Sequence, residues 1–226
     1  MTSTLGAQRI QKVELSWPAR GGAWARVSTE IAAVPPGPAT LTIGDLSLVG
    51  HVLPGRAGDD APSSWSGVWK SGAAWDTVLP RRAPYQSDDG VRLKTVLATL
   101  ALECGGVPFV QPADRSLGPF WCRPRVTASR QPWTGADELA ALADARAILP
   151  WWVTAAGVTR FDARPTGTVK ASARVSGRTM TRGVRVVGVD SPLAFAPGLS
   201  FEGAIISRIV ARETGGGPVT LELWTS

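Results

Sequence analysis

His51 is the only imidazole in the sequence, so general-base or metal chemistry in this chain would have to begin with it. It stands in the run Leu46-Ser47-Leu48-Val49-Gly50-His51-Val52, where the plain reading is a histidine packed on or beside an apolar strand. An ordinary zinc site would need Cys104 and Cys122 brought to it by the fold, because their spacing matches no zinc motif. Two cysteines cannot make a disulfide framework either, and both thiols are expected to be buried core groups. The acidic pairs Asp59 with Asp60 and Asp88 with Asp89 have the makings of metal ligands or a carboxylate dyad, but each lies beside a glycine, as solvated turn residues do. Serine and threonine are plentiful, yet no G-x-S-x-G elbow, Walker loop, G-x-G-x-x-G or H-E-x-x-H is present. Gly215 to Gly217 lack the lysine and following helix that a phosphate cradle requires. The sequence therefore predicts no catalytic residue, no cofactor and no metal, and an enzyme is the disfavoured class.

Charge brings a second class forward. Lys and Arg number 24 against 18 Asp and Glu, a formal net charge of +6 that raises the encounter rate with acidic partners. Small β-barrels with basic grooves bind single-stranded nucleic acid, and Arg182, Arg185, Arg208 and Arg212 lie in or beside the last β segment. Arg208 and Arg212 share a strand face. Against this, the arginines are interleaved with Glu202, Glu213 and Glu222, and no run of five like charges exists. No charged start followed by an apolar run and no membrane-length apolar stretch is seen, so the product is expected to be soluble, made inside the cell and not inserted in a membrane.

The elements that would position these groups are mostly strands. Alternation from Lys12 to Trp17 opens the chain, and a second apolar run follows from Ala23 to Ala32. Leu41 to Val52 then form a hairpin turning at Gly44 and Asp45, with a bulge expected at Gly50. Residues 55–84 read as a loop or loose hairpin that carries Trp65, Trp69 and Trp75. Apolar positions at threes and fours from Val91 to Ala101 predict a helix capped by Asp88 or Asp89 and stopped at Gly105 and Gly106. A second helix is expected after Thr134, with Glu138 in its first turn, Arg146 in its last and Pro150 ending it. Trp151 to Val153 and Val158 to Phe161 make a hairpin around Gly157.

The stretch from Val184 to Trp224 is the most regular. Pro197 and Gly198 fit a type II turn, Ile205 to Arg212 alternate strictly, and Val219 to Trp224 close an antiparallel meander after Gly215 to Pro218. The expected fold is mainly β with an α+β insertion: an N-terminal β module over 1–80, a two-helix unit over 81–165, and a C-terminal β module over 166–226, the outer two as small antiparallel β-barrels.

Ten tryptophans against one tyrosine make the aromatic placement informative, because each indole brings a large apolar area and one donor. Trp65, Trp69 and Trp75 either fold back on a core or serve as interface anchors, and the expectation is that they contribute to subunit contacts.

Three strings carry a family resemblance: I-G-D-L-S-L-V-G-H-V-L-P-G, then D-D-G-V-R-L-K-T-V-L-A-T-L-A-L-E-C-G-G, and L-A-F-A-P-G-L-S-F-E-G-A-I-I-S-R-I-V near the end, with W-W-V-T-A-A-G-V-T-R-F between. In that order they resemble the baseplate-hub, or tail-hub, proteins of tailed bacteriophages. The resemblance implies tail-tube-like β-barrels flanking an α+β part and a homotrimer whose six barrels match a sixfold tail tube. It also implies a place in the virion tail, assembled in the host cytoplasm, between the tube and the spike or tip proteins. DNA would only pass through the channel. The chain lacks an inserted hydrolase segment, so a cell-wall-degrading role is not implied.

Overall fold

The computed structural model describes residues 3–30, 34–54, 64–80, 84–122, 132–170, 174–178 (as backbone), 183–189 and 191–225. Contacts divide the chain into two units. The first gathers Met1–Ser71, Ala155–Gly157 and Arg164–Ser226; the second holds Gly72–Thr154 and Val158–Ala163.

In the first unit the opening strands are β1 (Thr4–Leu5), β2 (Gln8–Pro18), β3 (Trp24–Thr29), β4 (Gly37–Ile43), β5 (Leu46–Val52) and β6 (Trp65–Lys70). Their pairings run β1–β4–β5–β6–β3–β2 and return from β2 to β1, closing a six-stranded antiparallel ring. Leu46, Leu48 and Val52 point inward while Ser47 and Val49 are exposed, as period-two patterning requires. Gly44, at φ +61°, makes the two-residue turn between Ile43 and its partner Leu46.

Gly50 is not a bulge. It sits in unbroken register opposite Ala39, and a Cβ there would lie 2.4 Å from Trp69 Cζ2. Glycine is needed because an indole occupies the space its side chain would take. Trp65 to Lys70, expected in a loop, is a strand for a related reason. At Gly67 a Cβ would meet the Trp65 ring at 2.0 Å, so two indoles fill the inward space of three positions and the periodicity is masked.

The second unit contains β7 (Tyr85–Gln86), α1 (Leu93–Glu103), β8 (Phe120–Trp121), α2 (Gly135–Asp144), β9 (Trp152–Val153) and β10 (Thr159–Arg160), with one 3₁₀ turn at Ala73–Asp76. β7 pairs with β8, and β9 with β10. Leu93, Val96, Leu97 and Leu100 of α1 join Leu139 and Leu142 of α2 in one apolar cluster around Trp75. Both helix starts are instructive. Thr134 caps α2 as expected, its Oγ1 accepting from the Asp137 N–H while the Asp137 carboxylate accepts from the Thr134 N–H at 2.9 Å. α1, by contrast, begins at Leu93 without a side-chain cap from Arg92; Asp88 and Asp89 lie exposed in the preceding turn. The acid at its N-terminus comes from a distant loop: Asp114 Oδ1 accepts from the Lys94 N–H at 3.1 Å. Gly105 and Gly106, both at positive φ, stop the helix, and the Gly106 N–H donates to the Ala101 carbonyl. α2 ends at Asp144, ahead of Arg146 and Pro150.

The chain then completes the first unit with β11 (Gly167–Thr168), β12 (Arg174–Arg178), β13 (Val184–Val189), β14 (Leu199–Phe201), β15 (Ala204–Thr214) and β16 (Val219–Thr225). β15 pairs along β2 from Pro18 to Lys12, and the sheet continues β15–β16–β13–β12. The two β segments read as separate modules therefore share one 12-stranded sheet and one apolar core. The first closes a ring; the second extends the sheet from it. Glu202 and Gly203, both at positive φ, form the two-residue hairpin joining β14 to β15. Along β15 the strict alternation breaks, because the register shifts between Ile206 and Arg208. Ile206 is buried, and after the shift Ile209, Ala211 and Glu213 take the inward positions.

Candidate assembly surface

The groups with chemical potential are dispersed. Among the described residues no three His, Cys, Asp or Glu side chains gather in a metal-binding group. His51 lies on β5 between Pro38 and Lys70, half-buried, and its Nδ1 has no hydrogen-bond partner among the described residues. Cys104 is buried, as expected, but Cys122 is exposed, because it follows the short edge strand β8 rather than an apolar helix face. Asp59 and Asp60 lie outside the described residues.

The three tryptophans expected at subunit contacts are inside the chain's own cores. Trp69 and Trp75 are 0% and 1% exposed, and Trp65 is buried as well. Trp69 Nε1 donates to the Ala39 carbonyl at 2.9 Å, and Trp75 Nε1 donates to Thr159 Oγ1 at 2.8 Å. An indole with its donor satisfied and its ring covered has no area left to offer a neighbour, so this expectation is corrected: these residues shape the fold. Large apolar side chains that do face outward are Leu193, Ile205 and Trp224 in the first unit and Leu102, Phe120 and Leu149 in the second.

Two buried acids carry a signal the sequence reading missed. Glu138, 0% exposed, accepts from Trp121 Nε1 at 2.8 Å and from Trp133 Nε1 at 2.9 Å. Its place in the first turn of α2 suggests the dipole alone; Trp133, just before the cap, was the available local clue, while Trp121 arrives from 17 residues away. Glu213, inward on β15, accepts from the Ser3 hydroxyl. Both are anchors, because their oxygens are engaged by groups of the same unit.

The basic residues of the terminal β segment are largely neutralised in place. Arg212 bonds to Glu222 and lies 3.5 Å from Glu14, and these partners, Glu222 foremost, hold its guanidinium above its ordinary range. Arg185 pairs with Glu202 at 3.2 Å. Arg208 donates to Ser16 Oγ at 2.9 Å and lies over the Trp224 ring. Arg182 is outside the described residues. Half-buried Arg164 donates to the Ala19 and Pro18 carbonyls at 2.8 and 2.9 Å, and desolvation draws its guanidinium down to about 10. These arginines bond to strands and turns of their own sheet. A continuous phosphate-binding track would need them unengaged, so the single-strand reading finds no support in their placement.

With the fold in view, three solved structures align over nearly the whole chain. A 43 kDa tail protein of prophage MuSo2 from Shewanella oneidensis shares 10% identity at a TM-score of 0.62, covering 99% of this chain and 96% of that one. A tail protein from Neisseria meningitidis MC58 shares 10% identity at 0.60, covering 100% and 95%. An E. coli protein, described as a type VI secretion system component with structural similarity to T4 bacteriophage tail proteins gp27 and gp5, shares 11% at 0.55, covering 100% and 75%. No protein-family model and no curated protein matches the sequence. The chain thus has the fold of phage-type tail proteins, mainly β with a two-helix unit.

Proposed function

We propose that this protein is a structural subunit of a phage tail, forming as a homotrimer the baseplate or tail-tip hub that joins the tail tube to the spike or tip proteins. The observation that carries the reading is the single sheet built from both ends of the chain, a fold aligned over 99–100% of its length with tail-type structures. The chemistry agrees with it. The buried acids and indoles are engaged in internal hydrogen bonds. A stable sheet architecture with exposed Leu193, Ile205, Trp224, Leu102, Phe120 and Leu149 suits a protein whose work is to be held between neighbours. Trp65 and Trp69 serve that role indirectly, by filling the core of the sheet, and Trp75 does so in the two-helix unit. No helix among the described residues is long and apolar enough to cross a membrane.

Native mass spectrometry of the purified chain tests the proposal. The expected species is three times the 23.7 kDa chain. Immunogold labelling of purified particles is expected at the tail tip. A chain that stays monomeric at every concentration, with no label on tails, overturns the reading.

A further inference from the structure

The outer face of β2, β3 and β6 holds a shallow cleft lined by Lys12, Glu14, Arg26, Ser28, Ser66 and Val68. Strand register puts these residues side by side. Lys12 lies opposite Ser28 and Ser28 opposite Ser66, while Glu14 lies opposite Arg26 and Arg26 opposite Val68. Cross-strand neighbours on one face are close enough to act on one ligand group.

The charges here differ from those of Arg212 and Arg185 in the same sheet. Arg212 and Arg185 have carboxylate partners, whereas Lys12 and Arg26 have none among the described residues. Glu14, the acid between them, is directed to Arg212. The Ser28 and Ser66 hydroxyls are 3.0 Å apart, and only one can donate to the other, so the second O–H remains available as a donor. An ammonium, a guanidinium and a spare hydroxyl therefore ring the same space, a donor set that suits an oxyanion.

We infer that this cleft is a docking site for carboxylate side chains on a partner protein. A carboxylate fits better than a nucleic-acid phosphate for two reasons. Only Lys12 and Arg26 are cationic here, with Glu14 on the β2 side of the cleft, so an evenly spaced row of phosphates finds no continuous track, whereas a protein surface can set a single acid among neutral groups. The nearby rings are also closed to base stacking: Trp65 is buried, and Arg26 lies over Trp24 at 5.9 Å. Val68, 37% exposed at the rim, gives the partner an apolar contact beside its acid.

The test uses the intact chain and a fluorescein-labelled peptide of alternating Glu and Val, read by anisotropy at low salt and by amide shifts of Ser28 and Ser66. Lys12→Glu with Arg26→Glu is expected to weaken binding by about tenfold or more, and Arg185→Glu to leave it unchanged. If the reversal variant fails to fold, Lys12→Gln with Arg26→Gln removes both charges and must lose binding likewise. Three results overturn the inference: no peptide binding at low salt, binding indifferent to these substitutions, or tighter binding of a labelled oligothymidylate that the same variants abolish. The assay does not depend on oligomeric state, so its failure leaves the trimer proposal standing.

Discussion

Gly50→Ala probes the packing that closes the ring, and its cost follows from three distances. The new methyl would sit 2.4 Å from Trp69 Cζ2 and 2.6 Å from both Trp69 Cε2 and the Lys70 carbonyl oxygen. The indole cannot swing away freely, because it is fully buried and its Nε1 is held by the Ala39 carbonyl. Overpacking at such a point costs about 1–3 kcal/mol. Trp69→Ala alone costs about 3–5 kcal/mol, from lost burial and the cavity left behind. In the double variant that cavity receives the methyl, but the Lys70 carbonyl stays where it is. The double variant should therefore be less destabilised than the sum of the singles by about 0.5–3 kcal/mol, yet by less than the full cost of Gly50→Ala. Urea unfolding followed by far-ultraviolet circular dichroism on the four proteins measures this, provided their m-values agree. Additivity within about 0.5 kcal/mol would refute the claim that Gly50 is glycine for the sake of Trp69.

Three further outcomes follow from side-chain contacts. Glu138→Gln turns an amide NH₂ toward one of two indole N–H groups and should cost about 1–3 kcal/mol, seen as a lower Tm with an upfield shift of the Trp121 or Trp133 indole proton; unchanged indole resonances would contradict it. Thr134→Ala removes the cap of α2 and should lower stability by about 1 kcal/mol in the same unfolding assay, while Thr134→Ser restores it. The hydrogen bond from the Lys94 N–H, with the Arg92 and Lys94 charges, holds the Asp114 carboxyl below its usual range. Its contribution is therefore present above the unfolded value of about 3.9 and lost as pH falls through the lower folded value. Asp114→Asn should lower Tm at neutral pH, with the gap to the parent closing in acid; a gap that persists there would sink the assignment.

Legibility in the sequence tracked how local the cause was. The Gly44 turn, the Gly105–Gly106 stop and the Thr134 cap are set by residues within a few positions of one another, and each is where its residue types place it. The start of α1 was misread because its acid, Asp114, arrives from 20 residues away. β6 escapes the periodicity because Gly67 looks like a breaker, and Gly50 of β5 like a bulge, until the indoles that fill their space are known. The bulge in β15 likewise has no sequence mark, since Ile205 and Ile206 satisfy either phase until the register with β16 is fixed. The fate of Trp65, Trp69 and Trp75 likewise depended on which long-range partners covered them.

β2 shows why both ends of the chain have to be present for either to be complete. On one edge it pairs with β3; on the other it pairs with β1 through Gln8 and Arg9, then with β15 from Lys12 to Pro18. Without β15, seven residues of β2 would lose their ladder partners on that edge, and the core around Leu15 and Trp17 would lose Ile209, Ala211 and, behind them, Leu221 and Leu223. An opened edge of that length beside apolar residues is a template for wrong pairing. The C-terminal strands therefore seal the ring strand that precedes them by almost two hundred residues.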